Sequence, residues 1–404
     1  MSKRFFAAGH LPTLFAAFLY FGLGSMVWVL LGPLAVQIAG DLRLNPARTG
    51  IMVAVPVLAG AVLRIPLGLL ADRIGAKRTG TFAQLVVIAG LVAGFALGVH
   101  GFAGTLVVGI VLGVAGASFA VALPLASRWY PPEHQGTALG IAGAGNAGSA
   151  LAALVAPGLA VAWGWQNVLG LATVPLGLGL VVYLWCSRES GRAARVVTLG
   201  QYRRLLGIAD AWWLMVFYAV TFGGFVGLAA SLTIYFNAQF GLGAVAAGDC
   251  TAACVLIGSL LRPVGGAVAD RIGGVRALSV LYLIAATALA TVGAGPQHAW
   301  TAVLVLAVAV GALGMGNGAV FQLVPQRFGR EIGVMTGLVG MAGGLGGFFL
   351  ASGLGFSREF TGSYRPGLLL FALLTALALV ALNAVKRRWR ADWSVGDTGA
   401  AARI

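Results

Sequence analysis

An acidic residue in the middle of an apolar stretch is what this sequence lacks. It has eleven Asp and Glu in 404 residues. Asp41, Asp72, Glu133, Glu189, Asp210, Asp249, Asp270, Glu331, Glu359, Asp392 and Asp397 all lie in polar stretches or at the edge of apolar ones. The four histidines, His10, His100, His134 and His298, do the same, and Glu133-His134 reads as a solvated loop. Charged residues make up 9% of the chain, against about 25% in a soluble domain, which excludes a soluble globular protein. Only three cysteines occur. Cys250 and Cys254 share a helix face but have no histidine or further cysteine to complete a metal set, so with Cys186 they read as packing residues. No nucleophile and base stand together, so the chain reads as no enzyme and as needing no cofactor or metal. The Gly-x-Gly runs lie inside apolar stretches and carry no nucleotide meaning.

What is present is apolar: 59% hydrophobic residues and 62 glycines. About 20 apolar residues span a bilayer as a helix. Twelve stretches qualify, at 11–39, 49–70, 80–99, 102–126, 137–162, 166–186, 211–237, 248–269, 277–295, 299–324, 334–356 and 364–386. The start, Met1-Ser2-Lys3-Arg4, leads into a stretch too long for a signal peptide core, and it reads as the approach to the first span. The net charge of +15 follows the positive-inside bias. Of the 26 Lys and Arg, all but six fall on the side of the termini. Arg43, Arg48, Arg358 and Arg365 lie opposite, and two lie within spans. The basic segments 71–79, 127–136, 187–210, 270–276 and 325–333 read as cytoplasmic loops. No soluble basic domain exists to bind nucleic acid. The expected organisation is an N-terminal six-helix bundle at 1–186, a cytoplasmic linker at 187–210, a C-terminal bundle at 211–386 and a cytoplasmic tail at 387–404. The expected location is a cytoplasmic membrane, with both termini inside.

The two arginines within spans are Arg64 and Arg262, 198 residues apart. The same offset relates Asp72 to Asp270, Tyr20 to Tyr218 and Phe119 to Asn317, and places Gly143–Gly148 over Met341–Gly346. One offset over so many spans indicates duplicated halves with parallel topology. Eight residues of helix, about 12 Å, separate each arginine from the following Asp. A guanidinium at that depth cannot lose its proton and is costly in hydrocarbon. Without an embedded acid, two of them point to a bound anion. Pairing with a carboxylate at a span edge is the structural alternative, and Asp249 is the nearest candidate to Arg262.

The segments Ala71-Asp72-Arg73-Ile74-Gly75 and Ala269-Asp270-Arg271-Ile272-Gly273 repeat a pentad. Together with the neighbouring Lys77 and Arg78, they resemble the gating-loop signature of the major facilitator superfamily. The fifth span carries Gly143, Gly145, Asn146 and Gly148, and the eleventh carries Gly340, Gly343, Gly344, Gly346 and Gly347. Glycines at this density let membrane helices cross closely, and packing alone accounts for them but not for Asn146. These segments resemble the signature motifs of the nitrate/nitrite porter family, as do Gly116-Ala-Ser-Phe119, Trp129-Tyr-Pro-Pro-Glu133 and Tyr218-Ala-Val-Thr221-Phe222-Gly223. The likeness extends over essentially the whole chain.

The resemblance implies an all-α integral membrane protein with twelve transmembrane helices and the major facilitator fold. It further implies a monomeric carrier of nitrate and nitrite working by alternating access. Arg64 and Arg262 would bind the anion from opposite halves, Tyr218 and Asn146 would hydrogen-bond it, and Phe119 and Phe222 would sandwich it. Gly143, Gly145, Gly148, Gly343, Gly344 and Gly346 would let the fifth and eleventh helices shift. Asp72, Arg73, Asp270 and Arg271 would serve gating. Asn317, a second intramembrane amide whose face the sequence does not assign, is carried as a further substrate-binding residue. Nitrate/nitrite exchange and nitrate/proton symport both stay open on the sequence. Carriers of another small anion (cyanate, formate, a small carboxylate) are the alternative, followed by a nitrate-binding membrane sensor.

Overall fold

The computed structural model describes residues 8–190 and 198–393. Met1–Arg4, the middle of the expected linker and most of the expected tail therefore lie outside the described residues. Twelve helices are long and apolar enough to cross a membrane. They are α1 (Leu11–Trp28), α2 (Pro46–Ile74), α3 (Ala76–Leu97), α4 (Gly101–Ser127), α5 (Ala138–Trp163) and α6 (Trp165–Cys186) in the first half. In the second half they are α7 (Ala209–Phe240), α8 (Ala244–Ile272), α9 (Gly274–Gly293), α10 (Ala299–Phe328), α11 (Ile332–Thr361) and α12 (Arg365–Trp389). This is an all-α, multi-pass membrane protein. An even number of crossings puts the start of α1 and the end of α12 on one side, called the near face below; the other is the far face.

The duplication is visible in the backbone. α2 and α8 both have 29 residues and start and end 198 residues apart. Gly75 (φ 95°) ends α2 as Gly273 (φ 93°) ends α8, and Gly164 (φ 84°) ends α5 as Gly362 (φ 72°) ends α11. Such angles are open to glycine without steric cost. His100 and His298 precede α4 and α10 in the same way.

Three sequence expectations are corrected. The first stretch, read as one span over 11–39, stops at Trp28, turns through Val29–Leu34 and resumes as a short helix, Ala35–Asp41. Pro33 has no N–H to continue the helical ladder. Beside it, a Cβ on Gly32 would fall 2.5 Å from the Ala230 carbonyl of α7, so the chain turns where it meets the other half. The segments 71–79 and 270–276 are not loops, since helix continues up to and resumes after the single residues Gly75 and Gly273. Segment 325–333 is likewise mostly the end of α10 and the start of α11, and 187–210 contains a helix at Leu199–Leu206.

The halves meet along two seams, α2 against α11 and α5 against α8. Glycines make these seams tight. A Cβ on Gly50 would lie 2.8 Å from Gly355 Cα, one on Gly344 2.4 Å from Ala61 Cβ, and one on Gly248 2.5 Å from the Ala153 carbonyl. Among the described glycines, every such approach between the halves lies at the level of Arg64 or beyond it toward the far face.

Candidate functional site

Arg64 sits on α2, in a stretch that needs no polar residue for its fold, and is 2% exposed. It keeps its charge there without an acid. Its Cζ lies 5.3 Å from the Trp28 ring, 5.3 Å from Phe119 and 5.1 Å from Phe222. Its Nη1 donates to the carbonyl of Gly340 on α11. Each aromatic face within about 6 Å is worth roughly 0.5–2 kcal/mol to a desolvated cation. Arg262 on α8 is half-buried. Its Cζ lies 5.8 Å from Phe119, 5.9 Å from Phe222 and 5.7 Å from Phe321, and Nη2 donates to the Tyr218 hydroxyl at 3.1 Å.

Phe119 and Phe222 thus lie against both guanidiniums. Arg64 Nε and Nη2 and Arg262 Nη1 are buried without an acceptor among the described residues. Neither arginine is paired with a carboxylate in any ion pair the structure shows, so the carboxylate alternative finds no support. An unmet buried charged donor costs about 1–3 kcal/mol or more. Three of them beside two aromatic walls are N–H groups of the kind that hydrogen-bond a small acceptor-rich anion.

The elements around the site explain its placement. α4 breaks at Ala117–Ser118 and resumes at Phe119, which lies 5.6 Å from Phe21 of α1. On α7, Tyr218 and Phe222 are one turn apart with stacked rings at 5.1 Å and 4°. Both rings pack closely against α11, where a Cβ on Gly343 would fall 2.6 Å from Tyr218 and 2.9 Å from Phe222.

The structure places the other sequence-derived residues as follows. Asn146 is buried in a 3-10 turn, Ala144–Ala147, that interrupts the fifth helix and lies against α1 and α8. Its carbonyl accepts from Ser149 Oγ at 2.6 Å. Gly145 and Gly148 admit the α1 backbone, with a Cβ on Gly148 falling 1.9 Å from the Gly22 carbonyl, whereas Gly143 has nothing within 4 Å. Gly346 meets the Ala219 carbonyl of α7. Asn317 is 1% exposed with its Oδ1 lacking a donor. Its neighbours Gly316 and Gly318 pack on Thr221 and on the Arg262 carbonyl, which puts it at the level of Arg262.

Sequence reasoning missed Trp28, Phe321 and the Gly340 carbonyl. No periodicity marks a mid-span aromatic as facing inward when all sides of the helix are apolar, and a backbone carbonyl has no sequence signal.

At the near face, Asp72 accepts from Arg128 Nη2 of α4 at 2.6 Å, while Arg73 and Arg271 are exposed and Asp270 ends α8. Tyr202, on the Leu199–Leu206 helix, lies over Gly337 of α11. Burial, and then the nearby Asp72 carboxylate, push its hydroxyl up to about 12. Asp210, at the start of α7, is 4% exposed and accepts from Arg327 Nε at 2.8 Å, Trp389 Nε1 at 2.8 Å and Arg388 Nη2.

Comparison with known proteins bears on the family and the fold. The family model described as Major Facilitator Superfamily matches residues 13–351. The probable nitrate/nitrite transporter NarK2 of Mycobacterium tuberculosis is 35% identical over 88% of this chain and 90% of its own length. The nitrite extrusion protein of Bacillus subtilis (strain 168) is 32% identical over 88% and 89%. The probable nitrate transporter NarT of Staphylococcus haemolyticus (strain JCSC1435) is 30% identical over 89% and 93%. Among solved structures, a bacterial homologue of the human lysosomal transporter Spinster, inward-facing and occupied, superposes with a TM-score of 0.72. At 19% identity it covers 96% of this chain and 98% of its own, which is a likeness of fold.

Proposed function

The chain belongs to the nitrate/nitrite porter family of the major facilitator superfamily, and from that premise we propose that it carries nitrate and nitrite across the cytoplasmic membrane by alternating access. The near face is then cytoplasmic. The observation that carries the reading is the set of three unpartnered donors, Arg64 Nε and Nη2 and Arg262 Nη1, beside Phe119 and Phe222. A flat oxyanion with lone pairs in its plane matches guanidinium N–H groups, which lie in a plane themselves. The aromatic walls suit a thin ion and keep water from weakening the charge-assisted bonds. Tyr218 already accepts from Arg262, so its hydroxyl hydrogen is available to the ion.

The cycle we propose is one of charge balance. Two guanidiniums from opposite halves repel when no anion lies between them, and an anion removes that repulsion and lets the halves close over it. An unloaded carrier then returns poorly, which favours exchanging one anion for another. Asn146, on the turn against α8, adds a neutral donor. Asp72, paired with Arg128 at the near face, acts in gating together with Arg73, Asp270 and Arg271. The protein works as a monomer, with residues 1–186 and 211–386 as the two moving bundles, 187–210 as their cytoplasmic linker and 387–404 as a cytoplasmic tail.

Nitrate uptake into proteoliposomes tests this, with and without internal nitrite and with and without an inward proton gradient. Uptake that needs internal nitrite and ignores the gradient is expected. Gradient-driven uptake into vesicles without internal anion would replace exchange by proton symport. No nitrate movement by the folded protein would overturn the substrate assignment.

A further inference from the structure

We propose that Trp28 is a specificity-determining residue that sets the largest anion the carrier admits; the inference rests on the reading of the arginine pair as an oxyanion site. Trp28 ends α1, one residue before the chain breaks into its turn. Its indole faces the Arg64 guanidinium at 5.3 Å and lies nearly parallel to Phe222, at 6.3 Å and 18°. It contacts α2 at Gly60 and α4 at Gly116, each about one turn beyond Arg64 and Phe119 toward the far face. It therefore closes the side of Arg64 that neither Phe119 nor Phe222 covers.

The position of the ring is fixed by backbone. Nε1 donates to the Pro56 carbonyl at 2.7 Å. A Cβ on Gly60 would fall 2.7 Å from Nε1, and one on Gly116 would fall 2.2 Å from it. The indole occupies the space that two missing side chains leave, and it is 1% exposed. It has nowhere to move. Phe321, at the opposite end of the site, is half-exposed and meets the side chains of Phe119, Tyr218 and Arg262. A side chain among side chains can change rotamer, whereas a ring clasped between two helix backbones and a carbonyl cannot. An anion bulkier than the site accepts is stopped at Trp28, while Phe321 yields.

The stack of Trp28 on Phe222 crosses between the halves. Parallel faces can slide without losing contact, so the limit persists as the halves rock. Trp28 touches the substrate's place from the same half as Arg64, and moves with it.

The test is selectivity in counterflow, measured with proteoliposomes loaded with nitrite and given external nitrate, acetate or perchlorate. Acetate has the four heavy atoms of nitrate but puts a bulkier methyl group, with hydrogens out of the plane, in place of one oxygen, and perchlorate is monovalent, tetrahedral and one heavy atom larger. The wild-type protein is expected to take up nitrate and reject the other two. Trp28→Phe removes the second ring and the bond to Pro56, and should raise the acetate-to-nitrate ratio of kcat/KM about tenfold or more, the scale of one methyl-sized change in a pocket. Its nitrate uptake should fall by less than that. Trp28→Ala, with more space, should admit perchlorate as well. Unchanged selectivity in a folded Trp28→Phe that still carries nitrate overturns the inference and leaves the anion site standing. The same holds if Phe119→Ala broadens selectivity and Trp28→Phe does not. If both Trp28 variants fail to fold, Phe321→Ala is decisive in their place: it should leave acetate rejected, and acetate entry there overturns the inference. A wild-type protein that moves no nitrate overturns the site reading and this inference together.

Discussion

The two halves share a backbone plan to the residue in places, yet they hold their arginines differently. Arg64 is enclosed by three rings and reaches across to the Gly340 carbonyl of the other half. Arg262 is half-buried and bonds to Tyr218 within its own half. The glycine segments differ in the same sense. In the first half the helix tightens into a 3-10 turn at Ala144–Ala147, while in the second it runs unbroken from Ile332 to Thr361. α4 breaks at Ala117–Ser118, and its counterpart α10 runs from Ala299 to Phe328 without interruption. The first half thus carries the kinks and the anchored cation, and the second carries straight helices and the more accessible one. A duplicated fold supplies two similar sites of positive charge, and the divergence of the copies decides which one is fixed.

The sharpest way to break that comparison is at the arginines. Arg64→Lys keeps the charge but loses the fork that serves Gly340 and the anion together, so nitrate uptake should fall about 100-fold or more. Arg262→Lys, at a more open position where an ammonium can still reach Tyr218, should fall less, by about tenfold. Equal losses in the two uptake assays would mean that the asymmetry has no functional weight.

The near-face carboxylates give the next contrast. Asp210→Asn removes the charge of a buried carboxylate that accepts from two partly exposed arginines and from Trp389, and should cost about 1–2 kcal/mol, discounted for the solvent the arginines reach. Asp72→Asn breaks a partly exposed pair and should cost about 1 kcal/mol or less. Denaturation of both variants in one detergent ranks them, and the reverse order would refute the assignment of Asp210 as the main tie of α7, α10 and α12.

The glycines of the fifth helix separate packing from freedom. Gly148→Ala drives a methyl into the Gly22 carbonyl and should destabilise by about 1–3 kcal/mol through overpacking, seen as reduced monodisperse yield and a lower melting point. Gly143→Ala, facing open space, should be neutral or slightly stabilising on the same measurements.

The smallest effect concerns the first residues of each half. His10 caps α1, its Nδ1 accepting from the Thr13 N–H at 3.2 Å, while Ile208 stands at the matching place before α7 with no side-chain cap. Burial, and then Arg188, hold the His10 imidazole below its ordinary value. A base whose folded value is lowered binds fewer protons folded than unfolded. Its contribution is therefore complete above the ordinary value and is lost as pH falls through the folded one. The melting point of the wild-type protein should drop between pH 7.5 and 5 by more than that of His10→Asn, which keeps an acceptor that does not titrate.

Much of this was legible in the sequence. Hydropathy gave twelve crossings, and the recurrence of Asp72 as Asp270 and of Arg64 as Arg262 gave the repeat. Two arginines far from any acid gave the anion-site reading proposed above. What hydropathy could not give is rotation about a helix axis, because these helices are apolar all round. Trp28 and Trp185 are both tryptophans within stretches read as apolar spans, yet one is 1% exposed and the other 81%. The break after Trp28 depends on the meeting of Gly32 with Ala230, a contact between residues nearly 200 positions apart. Asp210 read as a boundary acid, because its partners Arg327 and Arg388 come from two later helices.

The one-residue corners at Gly75 and Gly273 also constrain how such a gene can change in length. With no slack in the connection, one codon inserted into the body of α2 would turn everything after it by about 100° and shift it by about 1.5 Å. Arg64 would then no longer face its rings if the insertion fell before it, and Asp72 would lose Arg128 if it fell after. Insertions and tags are tolerated where the chain has length to spare, and here the corners have none. That α2 and α8 still have the same length of 29 residues, although most of their aligned side chains differ, is what such a ruler would preserve.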